Sequence, residues 1–136
     1  MSGEKDLQVL LQKMEPVQQA GSYVFISIPS LDGIHPSVSV MTFREAEGYT
    51  LILDAQKAIE LGFTDGPVMA WISLQVHSSL EAVGLTAAFS QAIARQGISC
   101  NVVAGFHHDH IFVPLNQAIL AMDTLRALSA SHRDVI

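Results

Sequence analysis

Cysteine is nearly absent from this chain of 136 residues: Cys100 stands alone. That excludes an intrachain disulfide and suits a reducing compartment. Positive charge is also scarce, with seven Lys and Arg against thirteen Asp and Glu, a formal net charge of −6 and no basic run. Neutralising cations supply most of the affinity for nucleic-acid phosphates, and clusters of them read anionic membranes. Neither nucleic acid nor a membrane is therefore an expected partner. Long apolar runs are missing too. The stretches near residues 67–76 and 82–94 are broken by Ser, Gln, Gly and Thr, short of the roughly 18–20 apolar residues that span a bilayer. The opening MSGEKDLQ places charges where a signal peptide would carry its apolar region. The expectation is a cytoplasmic protein. No GxxxxGKS/T, GxGxxG or GxSxG pattern occurs, so no nucleotide cofactor and no hydrolase elbow is called for.

What is present is apolar substance: 49% of residues are hydrophobic and only 15% charged. A chain of this composition folds, and its length suits one domain or two small halves sharing a core. Leu7, Leu10, Leu11 and Met14 form one helical stripe within Glu4 to Glu15, stopped by Pro16. Tyr23 to Ile28 is a β-branched and aromatic strand. Val38 to Glu45 and Tyr49 to Leu53 flank Glu47-Gly48 as a hairpin, and Asp54 is a candidate N-cap for a short helix ending at Gly62. In the second half Val68, Ala70, Ile72, Leu74 and Val76 alternate along a long strand. Leu85, Ala88, Phe89, Ala92 and Ile93 then make a helical stripe, with Gly97 as its stop. Ile98 to Phe106 and Ile111 to Val113 read as strands. Leu115, Ala118, Ile119, Met122 and Leu125 read as a last amphipathic helix, with the tail Ser129 to Ile136 free to fray or add a strand.

From Val68 onward the order is β, α, β, β, α and an optional β: the split βαββαβ of a ferredoxin-like sandwich, an α+β class. The first half reads α, β, β, β, α, a degenerate partner lacking one crossover helix. The expected halves are residues 1–62 and 63–136.

Three constellations carry chemistry. Ser78 and Glu81 stand at capping-box spacing, so a helix could begin at Ser79, or else near Val83. Either start collects backbone N–H groups that attract an anion, and Gly84 would let a ligand approach the backbone. Ordinary capping and helix–sheet packing explain the same residues. His107-His108-Asp109-His110 invites a metal reading, but a strand face offers two ligands, and a third would come from elsewhere, such as His77. A metal-dependent hydrolase or lyase built on these histidines is the enzyme alternative; the plain reading is a polar hairpin tip. Asp109 alone could accept a ligand's ammonium group. Ser78 and Ser79 beside His77 resemble half a hydrolase triad, without its elbow. Cys100 reads as a small buried hydrophobe.

Residues 78–114, SSLEAVGLTAAFSQAIARQGISCNVVAGFHHDHIFVP, resemble the small-molecule-binding ACT domain, in the branch that holds two ACT-like halves in one short chain. Val83-Gly84-Leu85-Thr86 opens the helix, Gly97-Ile98-Ser99 follows it, and Asp109 to Pro114 resembles the third strand of the cytosolic arginine sensors. The segments Phe25 to Pro29 and Thr42 to Glu45 resemble the N-terminal half of that branch. The resemblance implies a regulatory protein without catalytic activity that binds an amino acid. It implies ligand contacts from Ser78, Ser79, Val83, Gly84, Leu85 and Thr86, and from Asp109 with His110 beside it. The sensors carry an acidic residue two positions before the loop glycine. Here that position is Ala82, which argues against arginine as ligand. With no catalytic domain attached, such a chain would act as a homodimer, on a regulated protein partner, or both. A third alternative is a protein-interaction module with a vestigial pocket.

Overall fold

A computed structural model describes residues 3–133. In chain order they form α1 (Leu7–Lys13), β1 (Pro16–Gln18), β2 (Tyr23–Ile28), β3 (Ser39–Glu45), β4 (Gly48–Asp54), α2 (Ala55–Glu60), β5 (Met69–Leu74), α3 (Leu85–Arg95), β6 (Asn101–Ala104), β7 (Asp109–Pro114) and α4 (Ala118–Arg133). Single 3-10 turns cover Pro36–Val38 and Leu115–Gln117. Two compact units result: one joins the chain start, through Gln19, to everything from Ala70 onward; the other is Ala20–Met69. Among the described residues no helix is long and apolar enough to cross a membrane.

The discontinuous unit holds a sheet in the order β1-β5-β7-β6. β1 lies antiparallel to β5 with Pro16 opposite Leu74 and Gln18 opposite Ile72, and β6 pairs antiparallel with β7 from Asn101–Phe112 to Ala104–Asp109. Numbered from β5, this is the 2-3-1-4 order of a ferredoxin-like sheet, with its fourth strand supplied by the chain start. The sequence places no strand at Pro16–Gln18 and leaves the closing strand to the tail. Instead α4 continues to Arg133, and the last three residues lie outside the described ones. Among the described residues the chain finishes in α4, and the edge beside β5 is taken by three residues from the chain start. The compact units therefore trace the chain differently from its linear halves.

Alternation sends Ala70, Ile72, Leu74, Ile111 and Val113 to one face of this sheet, where α1, α3 and α4 cover them. Leu10, Met14, Phe89, Ile93 and Leu125 are fully buried there, each contributing about 1.5–3 kcal/mol relative to exposure. Asp6 caps α1 by accepting from the Val9 amide, and Gly97, at φ +73°, follows the end of α3.

Several sequence-based bounds shift. β5 ends at Leu74, where the Val76 amide turns back onto the Leu74 carbonyl at 2.8 Å. β6 is only Asn101–Ala104, an edge strand with mostly exposed side chains. Ile119 is 79% exposed and Ala121 takes its place on the stripe. The buried face follows Ala118, Ala121, Met122, Leu125 and Ser129. At 100° per residue Ile119 falls well off that line.

The unit Ala20–Met69 carries the antiparallel order β3-β4-β2, with Tyr23 opposite Asp54 and Ile28 opposite Tyr49. Met69 pairs with Tyr23 on the other side of β2, the place of a fourth strand in the same 2-3-1-4 order. Residues 29–38 are a loop and one 3-10 turn where a crossover helix would lie. β3 and β4 join through the two-residue turn Ala46-Glu47. Gly48 is required there: its φ is +139°, and a Cβ would stand 2.5 Å from the Ile28 carbonyl oxygen. Asp54 caps α2 through the Gln56 and Lys57 amides, as its place before the helix predicts. α2 helps close a small core of Val24, Ile26, Leu51, Leu53 and Ala58.

Candidate ligand site

The site lies in the discontinuous unit, where the segment leaving β5 reaches the start of α3. Two local bonds shape this loop: the Ser78 amide donates to the Val76 carbonyl at 3.0 Å, and the Ala82 amide to the Ser79 carbonyl at 3.0 Å. The capping box is not formed. Ser79 Oγ accepts from the Glu81 amide at 3.1 Å, a turn within the loop, and α3 begins only at Leu85. Its N-cap is Gly84, at φ +102° and ψ −18°, and no described side chain caps the helix. The amides of the first turn are thus free of a side-chain acceptor, at the positive end of an eleven-residue helix.

A cavity of about 170 Å³ opens against this helix start. Ser78, Ser79, Gly84, Leu85, Thr86 and Asp109 line it, together with Leu80, Ala82 and Ala104, which the sequence did not single out. Asp109 and Gly84, separated in the chain by α3 and β6, therefore share one hollow. Two of the expected residues do not. Val83 is 83% exposed on the rim. His110 follows Asp109 along β7 and so faces the opposite side of the sheet. There the Trp71 indole Nε1–H donates to its Nδ1 at 3.1 Å, and Ser73 Oγ lies 3.0 Å from the same nitrogen. An indole can only donate, so Nδ1 accepts and His110 is neutral with its proton on Nε2.

Asp109 is 9% exposed. Burial raises its carboxyl above the usual aspartate range, opposed by His110, by a hydrogen bond from the Ser78 side chain and by His108. Burial lowers His110, reinforced by His108 and opposed by Asp109. The Ser78 hydroxyl thus serves the aspartate and does not complete a triad with His77. Gly84 has a packing reason as well: a Cβ there would meet Leu7 Cδ2 at 2.9 Å.

The histidines form a ring cluster, with His77 and His107 centroids 5.2 Å apart, His107 and His108 6.3 Å, and His108 and His110 6.4 Å. Among the described residues no group of three His, Cys, Asp or Glu side chains is placed to hold a metal ion. Cys100 is half-buried, and burial raises its thiol, the condition of an inert packing residue. Larger hollows exist, one of about 450 Å³ beside Glu15, Ile119 and Arg126 and one of about 360 Å³ beside Phe25, Phe63 and Asp65. Neither combines a buried carboxylate with an uncapped helix start.

Comparison with known proteins gives two family matches, both described as ACT domain, over residues 2–69 and 69–127. A solved protein of unknown function from Vibrio cholerae, described as a possible transport protein, is 45% identical. It covers 92% of this chain and 97% of its own, with a TM-score of 0.81. The regulatory subunit of aspartate kinase from Thermus thermophilus, in ligand-free form, is 15% identical over 86% of this chain and 98% of its own, with a TM-score of 0.60. An Agrobacterium tumefaciens protein is 16% identical over 86% of this chain and 90% of its own, with a TM-score of 0.62. At those identities the last two show likeness of fold alone. No functionally curated protein matches.

Proposed function

Since the chain belongs to the ACT-domain family, carrying two such domains in tandem, we propose that it is a regulatory protein that binds an α-amino acid at the cavity between Gly84 and Asp109, without catalysis of its own. One observation carries the reading: a buried carboxylate and the uncapped amides of a helix start line the same small hollow. A zwitterion has complementary ends. Its carboxylate suits the N–H groups at Leu85 and Thr86, and its ammonium suits Asp109, held by Ser78. The volume of about 170 Å³ is below that of pockets for drug-sized ligands, which favours a small metabolite.

The rim supports a homodimer. Leu80, Val83 and Phe106 are 67%, 83% and 61% exposed beside the site, apolar surface that a second copy would cover. A regulated protein partner is the other occupant consistent with a chain whose linear halves, 1–62 and 63–136, we assign wholly to binding. Light scattering at tens of micromolar tests the dimer: a monomer alone overturns it.

A thermal-shift panel of the twenty amino acids, their enantiomers and related metabolites tests the ligand. A compound at 100 times its dissociation constant adds about 2.7 kcal/mol of stability. A flat panel rejects the amino-acid reading and leaves a protein-interaction module with a vestigial pocket.

A further inference from the structure

The loop that carries Ser78 and Gly84 is held from outside by the chain start. The Glu4 amide donates to the His77 carbonyl at 2.9 Å, and the Ser79 amide donates to the Glu4 carbonyl at 2.8 Å, a short parallel bridge centred on Ser78. Gly3 lies flat against the same backbone. A Cβ at Gly3 would stand 2.5 Å from the His77 carbonyl oxygen, 2.7 Å from the Ser78 carbonyl carbon and 2.8 Å from the Ser79 nitrogen. These are backbone atoms, with no flexible tip to move aside. Further along, Lys5 Nζ reaches the Glu81 carboxylate at 2.7 Å, and Leu7 fills the space that a Gly84 side chain would need. The segment is anchored at its far end, because α1 buries Leu10 and Leu11 in the main core.

Residues 3–7 therefore touch the loop at its beginning, middle and end. Without them the loop keeps short-range turns, Ser78 to Val76, Ala82 to Ser79 and Glu81 to Ser79 Oγ, and one side-chain bond from Ser78 to Asp109. Segments so weakly bonded open locally at low free energy. We propose that residues 3–7 form a clamp that positions the binding loop, with Gly3 as the residue that permits its docking, and that ligand occupancy and clamp docking reinforce each other. The second clause rests on the ligand reading above. The coupling is reciprocal, since a ligand that needs the ordered loop must favour the docked clamp by the same factor.

Gly3→Ala tests this, with Lys5→Ala as control, because an exposed ion pair holds little. Amide hydrogen exchange is measured without ligand. The expected result for Gly3→Ala is exchange at least tenfold faster at Ser79, Glu81 and Ala82, while the core amides of α4 stay far slower than the loop and urea unfolding stays a single cooperative transition. Lys5→Ala should exchange as the unmodified chain does. Unchanged loop exchange in Gly3→Ala overturns the clamp. With any amino acid that scores in the panel, affinity should fall about tenfold in Gly3→Ala, and the ligand should slow exchange at the Glu4 amide of the unmodified chain. Faster loop exchange with undiminished affinity overturns the positioning role. A flat panel removes the ligand clause, while the ligand-free exchange still decides the clamp, so the two failures are distinguishable.

Discussion

Asp109→Asn should separate binding from stability in opposite directions. The side chain is 9% exposed and its carboxyl is raised above 3.8, chiefly by burial. Such a group stabilises the fold when protonated, below its unfolded value, and that contribution is lost as pH rises through the folded value. At pH 7 the native state thus carries a desolvated charge that asparagine, of nearly the same shape, does not. The amide oxygen can still accept from Ser78. The variant is therefore more stable at pH 7, by an amount typical of single substitutions at strained functional positions, about 0.5–2 kcal/mol. The gain shrinks as pH falls through the folded value of Asp109 towards 3.8. Affinity for an amino acid moves the other way. Losing a charge-assisted hydrogen bond costs about 1.5–3 kcal/mol, roughly 10- to 150-fold in dissociation constant. Urea unfolding between pH 4 and 8 and calorimetry with the scoring amino acid read both. A variant less stable at pH 7, a stability gap that does not change with pH, or undiminished binding would each refute the reasoning.

Gly84→Ala should lose about 1–3 kcal/mol, because φ is +102° and the new Cβ presses Leu7; an unchanged melting temperature would show that the loop relaxes freely. Phe89→Ala, at a fully buried position, should cost about 3–5 kcal/mol. Ile119→Ala, 79% exposed, should stay within about 0.5 kcal/mol, and urea midpoints that reverse this order would contradict the burial pattern of α3 and α4. His110 has a lowered folded value, caused first by burial, then by His108 and opposed by Asp109. Its contribution is present above the ordinary 6.5 and lost as pH falls through the folded value, because the unfolded chain takes the proton first. His110→Gln should therefore flatten the loss of stability on acidification, and a slope identical to that of the unmodified chain would count against the Trp71 contact.

Much of the fold was legible because its signals are local. Alternation in Ala70, Ile72 and Leu74 marked β5, and the 3.6-residue stripe of Leu85, Phe89 and Ile93 marked α3. Asp54 before a short run marked a helix start. The site was legible only in part. Ser78, Gly84 and Asp109 were singled out chiefly through the family resemblance, and they share the cavity. His110 was placed with Asp109, although neighbours on a strand point to opposite faces. The alternation rule could have separated them. The late start of α3 was open in the sequence, since a capping-box spacing cannot say whether the segment is helix or loop.

Sequence by itself determined the tandem ACT architecture, the strand and helix order apart from the short β1, and most of the residues that build the cores. Tertiary structure alone decided that Pro16–Gln18 closes the sheet beside β5 and that Gly3–Leu7 clamps the loop before α3. A three-residue strand is too short to show a period, and a glycine pressed on a distant backbone leaves no pattern around itself. Both depend on hydrogen bonds and contacts between residues more than fifty positions apart in the chain.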